Sequence, residues 1–360
     1  MANRVVLHIG AMKSGTSFLQ SVLSANREEL ARQGFLFAGK RWKRQVSAVR
    51  DVSERGLPHQ PPLAEDGPWN QLVREIDGWD GTALVSMEFL GPRMAPKIEQ
   101  IVRSFSTDQV EAVLTVRDLA RSVPAMWQEA MQNAGVSTWE DYLDAVRAEN
   151  RKHPGGRNFW RHQSTAAIAG RWAKGIGKER FTLVTVPPPG APPGLLWERF
   201  AAAVGLDPEP FDLAVERSNP SVGAASALVL RALNERLAED PLPHNAYSRY
   251  VKHALAKEGL ARRGADDPMF GLDEPWVAKF AEREVRRLRK LDLTVLGSLD
   301  DLAPRPVRGV PTGSVTTEQQ LEAAVDGLAR LVRLLATPKR KGDADPDEDG
   351  GFDDTGDEDA

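Results

Sequence analysis

One segment near the N-terminus is the most informative about the fold: Val5-Val6-Leu7-His8-Ile9-Gly10-Ala11-Met12-Lys13-Ser14-Gly15-Thr16-Ser17. It starts with a short apolar, β-branched run that stops at Gly10, which is typical of a buried parallel strand. After Gly15 the apolar residues recur at helical spacing on one face, and Gln20 falls off that face. A strand, a glycine-rich turn and a helix in this order collect backbone N–H groups and the positive end of a helix dipole at one point. The segment therefore predicts a site for phosphate or sulfate.

Further strands and helices alternate along the first 215 residues. Apolar runs predict buried strands at 82–86, 110–116 and 181–186, and a short one at 35–37. Helical patterns lie at 93–105, 124–133, 138–148, 164–174 and 193–203. Strands that alternate with helices form βαβ units, so the pattern predicts an α/β fold with a mostly parallel sheet covered by helices on both faces.

The strand pattern ends near Pro220, and the rest of the chain predicts helices at 222–238, 246–262, 274–291 and 317–336. We therefore expect an α/β core over 1–215 and a helical C-terminal part, packed on that core, over 216–338. An acidic tail follows at 339–360. Ten acidic residues lie between Lys341 and Ala360, without apolar periodicity, which predicts that the tail is disordered.

Composition excludes several classes of protein. The chain has no cysteine, so it has no disulfide framework, thiolate nucleophile or cysteine-bound metal. It also lacks an apolar run long enough for a membrane span, and the apolar run at 5–9 is too short for a signal peptide; we therefore expect a cytoplasmic protein. Without its tail the chain is mildly basic, yet it has none of the dense Lys/Arg blocks of a nucleic-acid binder. The six histidines show no metal-ligand spacing, which predicts no metal.

The loop at 10–17 is close to a Walker A loop but differs from it at one informative position. Gly10 and Gly15 have the Walker spacing and Ser17 occupies the hydroxyl position, whereas Thr16 stands where the Walker lysine belongs. A lysine appears instead at Lys13, on the loop itself. From there a lysine can reach a bridging oxygen at the far end of a nucleotide phosphate, and no magnesium-binding aspartate is obvious at the end of the next strong strands.

His8 to Ser17 resembles the 5′-phosphosulfate loop of sulfotransferases that use 3′-phosphoadenosine 5′-phosphosulfate (PAPS). That loop is a strand, then K-[ST]-G-T-[ST], then a helix. The stretch from Thr115 to Glu129 is similar to a helix start in bacterial members of the family. The resemblance implies a P-loop-like α/β fold and PAPS as co-substrate, held by Lys13, Ser14, Gly15, Thr16 and Ser17.

The C-terminal ends of parallel strands lie at the same edge of the sheet, and ligands bind at that edge. Arg117 follows the strand at 110–116 and is placed to grip a second phosphate in two hydrogen bonds. The resemblance assigns it the 3′-phosphate. The family's helper serine lies eight positions later, where this chain has Ala125, so we take Ser122, the nearest hydroxyl, as the candidate.

Glu88 follows the strand at 82–86 and is the candidate catalytic base. Sulfuryl transfer to a hydroxyl needs a group that takes the acceptor proton and cations that stabilise the departing phosphate. Cytosolic members of the family have a histidine at this place and other branches use glutamate. His59, in a proline-rich loop, is the second candidate for the base.

The implied reaction moves a sulfuryl group from PAPS to a hydroxyl or amine of a small-molecule or carbohydrate acceptor, with Lys13 and Glu88 as catalytic residues. Two alternatives stay open. One is a P-loop nucleotide kinase or other NTPase, which would need magnesium. The other is a non-catalytic nucleotide-binding relative, which Ala125 leaves conceivable. Neither the acceptor nor the oligomeric state follows from the sequence.

Overall fold

A computed structural model describes residues 1–215, 221–311 and 313–336. The acidic tail predicted for 339–360 lies outside the described residues.

Six strands of the described chain form one sheet in the order β2-β3-β1-β4-β5-β6, and every neighbouring pair is parallel. The strands are β1 (Arg4–His8), β2 (Phe35–Phe37), β3 (Thr82–Ser86), β4 (Val110–Val116), β5 (Phe181–Thr185) and β6 (Thr294–Leu296). The predicted α/β class with a parallel sheet is confirmed. Strand β1 has neighbours on both sides, so the loop after it lies at the centre of the sheet edge.

The helices connect the strands and continue beyond them. In chain order they are α1 (Thr16–Ala25), α2 (Arg27–Arg32), α3 (Trp42–Glu54), α4 (Pro68–Asp77), α5 (Ala95–Arg103), α6 (Leu119–Gln132), α7 (Trp139–Arg147), α8 (Pro154–Gln163), α9 (Thr165–Ile176), α10 (Leu195–Val204), α11 (Ala224–Leu237), α12 (His244–Ala246), α13 (Pro275–Arg289) and α14 (Thr317–Ala336). A π-helix, Tyr247–Lys257, follows α12, and short 3₁₀ turns lie at Glu88–Leu90, Lys178–Arg180, Leu260–Asp266 and Leu299–Leu302.

Alternation along the strands divides the core of the sheet into two layers. In β1, Val5 and Leu7 face the layer formed with α3, α4, α5 and α9, whereas Val6 faces the layer formed with α1, α2 and α10. Both layers are fully buried at these strands, which explains why the strands are continuous apolar runs. The helices α3 and α4 are absent from the sequence prediction because their exposed faces are rich in polar residues, while Val49, Val52 and Leu72 bury the other face.

The chain divides into two compact units that are each assembled from separate segments. The first comprises the described residues of 1–119, 161–215 and 278–303, and it contains the whole sheet. The second comprises those of 120–160, 221–277 and 304–336. It is largely helical, with two isolated bridges, Phe270–Val310 and Leu272–Val307.

The structure contains strand β6, whereas the sequence predicts no strand beyond Pro220. Its three residues are half-exposed, so they carry no buried-strand pattern. The strand pairs with β5, and a polar cluster lies beside its C-terminal end. Asp301 Oδ2 accepts hydrogen bonds from Arg199 Nη1 at 2.7 Å and Thr185 Oγ1 at 2.7 Å, and Arg199 Nη1 also donates to the Thr185 carbonyl at 2.8 Å.

These contacts set the protonation of Asp301. Burial by itself raises the pKa of Asp301, but hydrogen bonds from Thr185, the Ser298 N–H and Arg199, together with the charge of Arg199, lower this pKa overall. A carboxylate with a lowered native pKa stabilises the fold above the pKa of the unfolded chain and loses that contribution as the pH falls below it.

We predict that Asp301→Asn lowers the free energy of unfolding by about 1–3 kcal/mol at neutral pH, because Arg199 loses its charged partner. The difference should shrink as the pH falls below about 3.8, because the unfolded chain then takes up a proton that native Asp301, with its lowered pKa, does not yet bind. Urea unfolding across this pH range measures it. Asp300→Asn is the matched control, since the Asp300 side chain is 84% exposed. Equal losses in both variants would contradict the anchoring role of Asp301.

Candidate functional site

The loop after β1 is folded against the end of β4. Its N–H groups continue the sheet, with Ile9 donating to the Val113 carbonyl at 2.9 Å and Ala11 to the Thr115 carbonyl at 2.8 Å. The approach is possible only because position 10 is glycine. A Cβ there would lie 2.2 Å from Thr115 Oγ1 and 2.9 Å from His8 Nε2. The sequence therefore brings the loop backbone to the edge of the sheet.

Two residues of the loop adopt the left-handed backbone conformation. Gly15 has φ 84°, which suits glycine, and Lys13 has φ 64°, which is uncommon for a residue with a side chain. A strained residue persists where the surrounding contacts enforce it, and such residues cluster at functional sites. Here the loop is held by Gln163, whose Nε2 donates to the Met12 carbonyl at 2.7 Å, and by Ser14, whose Oγ donates to the Ala11 carbonyl at 2.5 Å.

Helix α1 begins directly after the loop. The N–H groups of its first turn, starting at Thr16, have no acceptor inside the helix and point out of its N-terminus. Its N-cap residue is Gly15, no side chain of the described residues caps the helix, and its first turn holds no acidic residue. Lys13 adds a positive charge on the adjoining loop. Backbone donors, a helix dipole and a lysine at one place suit a phosphate or sulfate group.

A buried hydrogen-bond network connects the loop after β1 to the strands of the sheet. His8 lies in β1 and is fully buried, with Nδ1 at 2.7 Å from Ser86 Oγ and Nε2 at 3.1 Å from Thr115 Oγ1. Thr115 Oγ1 is in turn 2.7 Å from Ser14 Oγ. The network thus connects β3, β1, β4 and the loop. As the sequence predicts, His8 is a packed residue of the sheet; it also contacts the Phe200 ring at 4.9 Å between centroids.

Glu88 lies just after β3 and is half-buried. Gln20 of α1 orients it, because Gln20 Nε2 donates to Glu88 Oε2 at 3.1 Å and to the Ser86 carbonyl at 3.0 Å. The carboxylate of Glu88 is therefore tied to the same helix whose N-terminus follows the loop.

The structure places the other predicted site residues as follows. Ser14 and Thr16 are buried, and Lys13, Gly15 and Ser17 are half-buried. Arg117 is half-buried directly after β4, at the edge of the sheet that the loop follows.

The remaining candidates lie further along the chain. Ser122 is buried in α6, within the second unit, and its role stays a prediction. His59 is exposed between α3 and α4. The described residues contain no group of three or more histidines and acidic residues that could hold a metal. None of the helices in the described ranges combines the length and apolar character needed to span a bilayer.

Three residues of this region are missing from the sequence prediction: Thr115, Gln20 and Gln163. The sequence predicts Gln20 off the buried face of α1, yet its side chain is buried and donates hydrogen bonds to the Ser86 carbonyl of β3 and to Glu88. One signal for it exists in the sequence. Gln20 lies one helical turn after Thr16, so the two share the face that begins at the loop. Thr115 and Gln163 have no such signal, because their partners are distant in the chain.

Burial lowers the pKa of His8 to about 3, since a charged imidazole has no water to solvate it. The unfolded chain takes up this proton near pH 6.5, before the native protein does. We therefore predict that stability is lost as the pH falls from about 6.5 toward 3, by about 1.4 kcal/mol per pH unit from this residue. Urea unfolding of His8→Asn should show a flatter pH profile in that window, and the exposed His59→Asn should match the wild type. A wild-type slope in His8→Asn would refute the buried neutral imidazole.

No family model matches the chain, and no curated protein is similar to it. A crystal structure of a sulfotransferase from Alicyclobacillus acidocaldarius aligns with 69% of this chain and 100% of its own, at 16% identity and a TM-score of 0.40. The sulfotransferase domain from the curacin biosynthetic pathway aligns with 58% of this chain and 76% of its own, at 10% identity and a TM-score of 0.33.

Proposed function

We propose that this chain is a sulfotransferase that moves a sulfuryl group from PAPS to a hydroxyl or amine of a small-molecule or carbohydrate acceptor. The observation that carries the proposal is the uncapped N-terminus of α1 behind a loop whose lysine stands at Lys13. That combination gathers donors and one cation around a single anionic group. The proposal also rests on the resemblance of Lys13 to Ser17 to the phosphosulfate loop.

The residues of the loop would act on the donor. Lys13 stabilises the charge that develops on the phosphate oxygen when the bond from that oxygen to sulfur breaks. Ser14, Gly15, Thr16 and Ser17 cradle the 5′-phosphate with their backbone and hydroxyl groups. In-line transfer of this kind depends on positioning and charge stabilisation, as phosphoryl transfer does.

Two further residues complete the proposed site. Arg117 holds the 3′-phosphate with its planar guanidinium, with Ser122 as a second candidate for that group. Glu88 takes the proton from the acceptor hydroxyl as its oxygen attacks sulfur, and Gln20 keeps the carboxylate oriented toward α1. The acceptor gains the sulfuryl group, and 3′,5′-adenosine bisphosphate leaves.

A nucleotide kinase or other NTPase is the second candidate function. Thr16 at the Walker lysine position argues against it, because no lysine stands at the start of α1 to pair with β- and γ-phosphates. A non-catalytic nucleotide-binding protein is the third. It would keep the loop and the 3′-phosphate contacts but transfer nothing.

We predict that the protein binds 3′,5′-adenosine bisphosphate without magnesium, and that Lys13→Ala weakens this binding by about tenfold to a hundredfold. That is the weight of one charge-assisted hydrogen bond. Isothermal titration calorimetry measures the affinity. Lys178→Ala is the matched control, since Lys178 precedes β5 at the opposite end of the strands and pairs with Asp292 at 2.9 Å. Binding of ATP with magnesium, and none of the bisphosphate, would favour the kinase.

We predict that Glu88→Gln lowers sulfuryl transfer by about a hundredfold to ten-thousandfold, the usual contribution of a general base, while bisphosphate affinity stays within about twofold. The assay follows labelled sulfate from PAPS onto a panel of phenols, alcohols and sugars. His59→Ala is the control and should transfer normally. Full activity in Glu88→Gln would remove Glu88 as the base. Bisphosphate binding without transfer to any acceptor would favour the non-catalytic alternative.

A further inference from the structure

Helix α14 is the last element that the structure describes, and it belongs to the second unit. One of its faces packs on that unit, where Ala323 and Gly327 are buried. The packing is close, since a Cβ at Gly327 would lie 2.5 Å from Leu255 Cδ1. Ion pairs line the same helix, including Arg330 with Glu258 at 2.7 Å. The face that contains Ala323 and Gly327 therefore fixes the orientation of α14 within the second unit.

A second face of α14 carries an apolar seam that nothing in the described chain covers. Its five side chains are between 54% and 70% exposed: Leu321, Val325, Leu328, Val332 and Leu335. Half of the large exposed hydrophobic residues of the described chain, five of ten, lie on this one helix. Single exposed apolar residues are ordinary, whereas a contiguous apolar strip of roughly 500 Å² marks an interaction surface.

The spacing along the seam is regular. The intervals from Leu321 to Leu335 are four, three, four and three residues, which is a heptad repeat over two full heptads. Helices that only pack on a globular core show a wider apolar face with a period near 3.6. An alternation of four and three belongs to a helix whose partner is another helix running alongside it.

The residue types of the seam indicate which helix that is. Valine occupies one heptad position, at Val325 and Val332, and leucine occupies the other, at Leu321, Leu328 and Leu335. β-branched residues at a with leucine at d favour a two-stranded coil. Of the three flanking positions that follow the leucines, Ala329 and Ala336 are small and uncharged, and Glu322 at the start of the seam is the charged one, so most of the seam can be approached closely by a second helix.

The remaining C-terminal residues of the chain do not match the seam. Residues 337–360 contain no leucine, valine, isoleucine or methionine, and Phe352 is their only large apolar residue. They cannot fill a strip of five leucines and valines. An identical α14 matches it in length, spacing and residue type.

We propose that a second copy of this chain docks on the seam, so that two α14 helices pair side by side and in register, with Leu328 of one copy opposite Leu328 of the other. Such a pair buries about 1,000 Å² in total from the seams alone, which reaches the lower limit of specific interfaces. The chain is a homodimer in solution through this helix.

The test is the mass of the full chain in solution. Sedimentation equilibrium at micromolar concentration should give about twice 39.5 kDa for the wild type. Leu328→Glu places two like charges opposite each other and should raise the dimer dissociation constant by about a hundredfold or more. Leu242→Glu is the matched control, because Leu242 is another exposed leucine, 39% accessible, outside the seam. It should stay dimeric.

A second variant makes the result independent of the charge change. The chain has no cysteine, so Leu328→Cys provides a single thiol. Under oxidising conditions it should form a disulfide-linked dimer, since paired d positions bring their Cα atoms within disulfide reach. Circular dichroism checks that each variant is folded. A wild-type monomer, a dimer that survives Leu328→Glu, or a Leu328→Cys chain that does not cross-link would overturn the proposal.

Discussion

The contact between the loop at 10–15 and the end of β4 is the constraint on which the first unit depends. Strand β1 is central, so its loop emerges between β3 and β4, and only glycine at position 10 permits the backbone to reach Thr115. The same approach closes the network from Ser86 through His8 and Thr115 to Ser14. The loop conformation and the placement of helix α1 follow from it.

Burial gives this network its rigidity. A histidine between two hydroxyls, without access to water, stays neutral and shares its ring nitrogens with both neighbours. The fold itself therefore holds the N–H donors of the loop and of α1 in place, so the entropic cost of ordering them is met on folding. Glu88 shares in the arrangement through Gln20, which connects the carboxylate to the helix that follows the loop.

Much of the fold was predictable because buried parallel strands and amphipathic helices leave local patterns. The apolar runs at 82–86 and 110–116 become β3 and β4 with the predicted bounds, and the helix predicted at 317–336 is α14. Hydrophobic patterns do not predict a short strand with exposed residues, and they do not predict that a polar side chain is buried. The half-exposed β6 pairs with β5 at the sheet edge without a buried apolar run, and the buried Gln20 looks in the sequence like a surface residue of α1.

Local sequence is enough to specify the strand, the glycine-rich turn and the helix at the start of the chain, because spacing and residue type act within a few residues. It also determined the position of Lys13 on the loop and the heptad spacing along α14. Only the tertiary structure decided that His8, Ser86, Thr115 and Ser14 share one network, and that the heptad face of α14 is left uncovered by the described chain. These outcomes depend on contacts between residues far apart in the chain, and no local pattern records which distant surfaces meet.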